Sequence, residues 1–187
     1  GLAASAAGLF SDFLFDSAFA ADGDVPKVIH LHGTPEEMGR QYAEQIGELV
    51  VERIKRYHSK GSRVNRKLVE QSRIFLLTSA NDIRKEISAL AGALGEEMMD
   101  LLMLAAEPPG VGIRPNGCSS FAVSPKATED HKTWAGENID DTKDLKQFGI
   151  VIVRHPAGGI PMITWALAGG IGGIGMNLSG VGLMMNY

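Results

Sequence analysis

The sequence predicts an α+β protein whose first half is mostly helix and whose second half is mostly sheet. Three observations carry this. Apolar residues recur at helical spacing from Met38 to Leu104. The stretch PPGVGIRPNG, residues 108–117, then interrupts the helix with proline and glycine. After Cys118 the pattern changes to short apolar runs separated by turn residues, the signature of strands.

The first 20 residues stand apart from this plan. GLAASAAGLFSDFLFDSAFA is rich in alanine, lacks an initiating methionine and closes on the small-x-small pattern Ala18-Phe19-Ala20. It reads as the apolar part of an export signal cleaved after Ala20, which places the mature protein in the periplasm or outside the cell. Asp12 and Asp16 are unusual in such a core. Residues 21–117 then form a helical region and 118–187 the start of a sheet region.

VPKVIHLHG reads as a strand ending in a sharp turn. Thr34 is a good helix N-cap, Pro35 suits the first helical position, and Glu37 completes a Thr-x-x-Glu capping box. Met38, Tyr42, Ile46, Leu49, Val50 and Ile54 follow as one buried stripe. The basic run from Arg53 to Arg73 reads as a solvated helix face. A second helical region, SANDIRKEISALAGALGEEMMDLLMLAAE, carries Ile83, Ile87, Leu90 and Leu94, then a Met- and Leu-rich turn that fills the core. Beyond Cys118, CSSFAVSP and TWAGENI flank a polar turn, and FGIVIVRHP and IPMITWAL flank AGG; both are expected hairpins. The final segment breaks off in an apparent strand, so the sheet is expected to continue past Tyr187.

Composition excludes several classes. The chain has 187 residues and a formal charge of -4, which offers no basic face to a nucleic acid. It has one cysteine, so an internal disulfide and a cysteine-rich zinc site are ruled out. No apolar run reaches the roughly 18 residues that a spanning helix needs.

The lone Cys118 carries the chemistry. A single cysteine is commonly just a small hydrophobe, but this one follows Gly117, whose carbonyl is sterically open, and precedes Ser119 and Ser120. A thiol here can attack that carbonyl and let water cut the chain. The new N-terminal amine, with a pKa of about 8, can then act as base for its own thiol. Asn138 and Asp140 of GENIDD alternate on a strand that the hairpin folds back beside Cys118, where Asp140 can hold the amine, although this stretch alone reads as an acidic strand-end turn. Asn177 and Asn186 each offer an amide to an oxyanion, an interaction worth about 3 kcal/mol, although either alone reads as a turn residue. The Asn177-Leu178-Ser179 sequon is read as a chance match.

Alternatives remain at this level. His131 or His155 can pair with Cys118 in a papain-type dyad. GIGGIG fits a dinucleotide fingerprint but leads into a strand pattern rather than a helix, and is rejected. His30 and His32 share one strand face, yet no acidic or histidine partner follows at useful spacing, so no metal site and no cofactor are expected. A non-catalytic binding domain is the reading from another class.

Taken together, LHGTPEEMGRQYAEQIGE, EISALAGALGEEMMDLLML, NGCSSF, GENID and GMNLSGVGLMMNY resemble the acyl-CoA:6-aminopenicillanic acid acyltransferase family, the C45 autoproteolytic amidohydrolases. These are relatives of the choloylglycine (bile-salt) hydrolases among the N-terminal-nucleophile enzymes. The resemblance spans residues 29–187 and includes the opening pattern G-T-P-x-E-x-G-x-Q-x-G. It implies an αββα sandwich, self-cleavage between Gly117 and Cys118, and α and β segments that stay associated after the cut. It also implies Cys118 as nucleophile, Asp140 on its amine, Asn186 at the oxyanion and a small acyl amide or acyl thioester as substrate. Glu137 and Asn138 then fall at the substrate. Glu137 stands where bile-salt hydrolases carry arginine, which removes a cation from the pocket and argues against bile-acid-like specificity.

Overall fold

Residues Lys27–Gly33 form strand β1, and the turn at Thr34 launches helix α1, Pro35–Ser59. The computed structural model describes residues 26–59, 66–106, 118–139 and 143–185; Gly117, Asp140, Asn186 and the export-like segment lie outside the described residues. The capping box closes as expected. The Thr34 N–H donates to Glu37 Oε2 at 2.7 Å, and the Glu37 N–H donates to Thr34 Oγ1 at 3.3 Å. Met38, Tyr42, Ile46, Val50 and Ile54 of α1 are buried, with Leu49 packed against them. The helix kinks at Ile46, where φ is -144° and ψ is 21°.

Helices α2, Arg66–Ser79, α3, Asn81–Leu94, and α4, Met98–Ala106, complete the helical half. α1 packs extensively against α3. Gly39 makes that approach possible, because a side chain there would collide with the Glu86 carbonyl oxygen and sit 2.8 Å from the Ala89 Cβ. Leu101, Leu102 and Leu104 of α4 are buried while its methionines pack at the edge of the core; Ile83 stays exposed. Among the described residues no helix is long and apolar enough to cross a membrane.

The sheet half has two parts. β2, Cys118–Val123, and β3, Trp134–Ile139, form an antiparallel hairpin. β4, Gly149–Pro156, β5, Met162–Leu167, β6, Ile174–Asn177, and β7, Gly182–Leu183, join β1 in a mixed sheet of order β1-β4-β5-β6-β7. Both expected hairpins are present. β1 pairs with β4 in parallel, and the remaining pairings in that sheet are antiparallel. The fold is therefore α+β with a mixed sheet.

The main core cluster lies on one face of this sheet, while Val151 and Val153 of β4 are buried on the other. Ile29 and Leu31 of β1 stand in register with Ile152 and Arg154 of β4, and with Ile150 they meet the buried stripe of α1. Neighbouring residues point to the opposite face. The outer edge of β1 is closed by side chains. Gln41 and Gln45, one turn apart on α1, each exchange two hydrogen bonds with the backbone of His32 and His30, at 2.7–3.1 Å. The two amides imitate a neighbouring strand and cover the unpaired edge.

The basic run corrects the sequence expectation at its first residue. Arg53 is only 3% exposed, and its guanidinium donates to the carbonyl oxygens of Ala168 at 2.8 Å and Leu104 at 3.1 Å. A buried guanidinium is stable only when hydrogen-bonded, and these carbonyls provide that. Among the described residues of the run, Lys55 and Lys67 are exposed as expected, and Arg73 pairs with Glu70 at 2.7 Å on the surface.

Candidate active site

Cys118 is the first residue of β2 and is half-buried with a free thiol. The hairpin register pairs it with Ile139, pairs Ser120 with Glu137, and pairs Ser119 with Asn138. Opposed residues share a face, so Cys118, Ser120, Glu137 and Ile139 look one way and Ser119 and Asn138 the other. The strand thus brings Glu137 to the thiol's face, while Asn138 is exposed on the reverse. Gly117, Asp140 and Asn186 fall outside the described residues.

Cys118 lines a cavity of about 190 Å³ between the hairpin and the mixed sheet. Glu137 and Ile139 come from the hairpin, Trp165 and Ile174 from the sheet, and Arg53 from α1. The wall is largely apolar, with a carboxylate and a guanidinium as its charged groups. Glu137 Oε2 accepts the Met185 N–H at 3.1 Å, whereas its Oε1 is buried with no hydrogen-bond partner among the described residues. A buried carboxylate oxygen of this kind is ready to accept a hydrogen bond from a bound N–H or O–H.

The cavity floor is held from the helical side. The Tyr42 hydroxyl accepts the Gly169 N–H at 3.0 Å and donates to the Gly170 carbonyl at 2.9 Å. Burial pushes the Tyr42 phenol well above its ordinary pKa, against a smaller opposing effect of the Gly169 hydrogen bond, so the proton needed for donation stays in place. Gly169 has φ of 88°, and a side chain there would press on Leu104 and Val50, so the loop can pass this close to α1 only as glycine. With Arg53 on Ala168, two α1 side chains fix the backbone of 168–170, and Gly170 itself lines the cavity.

The remaining candidates separate clearly. GIGGIG leads into strand β6, with no helix N-terminus to receive a phosphate. Asn177 is a turn residue: its Oδ1 accepts the N–H groups of Ser179 and Val181, each at 3.1 Å. His131 sits in the β2–β3 turn at φ of 55°, with Nδ1 3.3 Å from the Pro125 carbonyl oxygen. No histidine is among the described residues that line the Cys118 cavity.

His155 corrects the expectation that the HLH strand lacks a third partner. It pairs with His32 across β1 and β4, and the two rings stack with centroids 4.5 Å apart and planes 3° from parallel. With His30 they bring three imidazoles together. Burial, and then the neighbouring His32 and His30, lower the pKa of His155 below the ordinary histidine value. Spacing along the chain could not reveal this, because the third histidine arrives through a parallel pairing with a distant strand.

Compared with models of protein families and with curated proteins, the chain matches none.

Proposed function

We propose that this chain is the precursor of an N-terminal cysteine amidohydrolase or acyltransferase that cuts itself between Gly117 and Cys118. The observation that carries the reading is the position of Cys118: the first residue of a strand, with its side chain on a mostly apolar cavity that holds a carboxylate and a guanidinium. In this reading the helices and the two sheets are layers of an αββα sandwich.

Maturation begins when the Cys118 sulfur attacks the Gly117 carbonyl carbon. The C–N bond breaks, the α-amine takes the proton, and a thioester remains. Water then hydrolyses the thioester, leaving the Gly117 carboxylate and a free N-terminal Cys118. In turnover the α-amine removes the thiol proton and the thiolate attacks the acyl carbonyl of a linear amide or thioester. The leaving amine or thiol departs with that proton, and an acyl-cysteine is formed. Water or an acceptor amine releases the acyl group. Asp140 orients the α-amine and Asn186 donates to the oxyanion. The apolar walls suit the body of an acyl chain, and Glu137 Oε1 suits an N–H or O–H donor on the substrate.

The alternative Cys-His dyad is disfavoured by the positions of His131, in the hairpin turn, and His155, stacked on His32. The test is the intact mass of the purified full-length product. Wild type should yield two segments divided at 117–118, and Cys118→Ala a single uncut chain. A wild-type enzyme active with that bond intact, or a cut persisting in Cys118→Ala, would falsify the proposal.

A further inference from the structure

We propose that His30, His32 and His155 form a binding site for a zinc-class divalent transition-metal ion, separate from the Cys118 cavity. One nitrogen from each ring, all three within 4.8 Å of one another, makes the cluster. It occupies the sheet face opposite the helices, since the alternate residues Ile29, Leu31 and Arg154 point into the core.

The geometry is close to what coordination needs. Zinc–imidazole bonds of about 2.0–2.1 Å place neighbouring ligand atoms roughly 3.4 Å apart in a tetrahedral arrangement. Moving from the present spacing requires ring rotation, because two stacked parallel rings cannot both point at one ion. His30 and His32 are exposed, so their rings can turn, His32 by giving up its stack on His155. The backbone beneath them is rigid: β1 is held by β4 on one side and by the Gln41 and Gln45 amides on the other. Fixed Cα positions with adjustable rings form a preorganised ligand set.

The donor chemistry selects the ion. Three imidazoles with no carboxylate among them suit zinc, copper or nickel and offer little to magnesium or calcium, which prefer oxygen ligands. Three protein ligands leave a coordination position open to water or a small anion. The site is distinct from the thiol's cavity. Trp165, which lines that cavity, pairs with Val151, four residues before His155 and therefore about 13 Å away along β4.

Zn²⁺ titration calorimetry on the chelator-treated full-length chain tests the proposal, repeated on Cys118→Ala to remove the thiol as a competing ligand. One ion per chain is expected, with Co²⁺ in its place giving the visible bands of a four- or five-coordinate nitrogen site. His30→Ala, His32→Ala and His155→Ala should each weaken binding by about tenfold or more. His58→Ala and His131→Ala should leave it unchanged, and Mg²⁺ should not compete. Circular dichroism confirms that each variant is folded, and exposed His30 supplies the decisive variant if His155→Ala is not. Absence of saturable Zn²⁺ binding, or binding that survives His30→Ala combined with His32→Ala, overturns the assignment.

Discussion

Arg154 and Glu86 show how single side chains tie the helical half to the sheet. The guanidinium donates from Nε at 3.2 Å and from Nη2 at 2.9 Å to Glu86 Oε1, and from Nη1 to Thr164 Oγ1 at 3.1 Å. The two side chains are 4% and 6% exposed, so their charges are compensated inside the protein rather than by water. Removing one partner leaves the other buried and unpaired, which costs about 3–5 kcal/mol. Glu86→Ala should therefore lower unfolding stability by that amount in urea denaturation; a loss under about 1 kcal/mol would mean that water reaches the pair. Arg53 and Tyr42 act similarly on backbone groups and fix the loop beneath Cys118.

At the scale of the element, the start of α1 carries a pH dependence. The Thr34 N–H bond first, and then the Thr34 hydroxyl, lower the pKa of Glu37 below its ordinary 4.5. The unfolded chain then takes up the proton before the native one as the pH falls. The contribution of the cap is fully present above about pH 4.5 and is lost as the pH drops through the lower folded value. Thermal melts of wild type and Glu37→Gln should differ near neutrality and converge below that range. A difference that persists in acid would show that the carboxylate charge is not what closes the box. This cap was legible in the sequence because its partners lie three residues apart.

At the scale of the whole molecule, the proposed cut divides a single sheet and a single core. Every residue of β1 pairs with β4, from Lys27 with Ile150 to Gly33 with Pro156, and the Glu86–Arg154 pair and the Tyr42 and Arg53 hydrogen bonds span the same division. Cleaved segments should co-elute on size-exclusion chromatography under native conditions and separate only in denaturant. Segments that part without denaturant would show that these contacts do not hold the halves together.

The sequence by itself determined the mostly helical first half and mostly stranded second half, the capping box, the buried stripe of α1, both hairpins and the placing of Cys118 at a strand start. Each depends on neighbours within a few residues, where backbone periodicity and turn chemistry act. Only the tertiary structure decided that Arg53 is buried, that Glu137 rather than Asn138 shares the thiol's face, and that His155 joins His30 and His32. Those outcomes depend on strand register and on pairings between distant segments, and the burial of a charge is set by whichever remote carbonyls arrive to receive it.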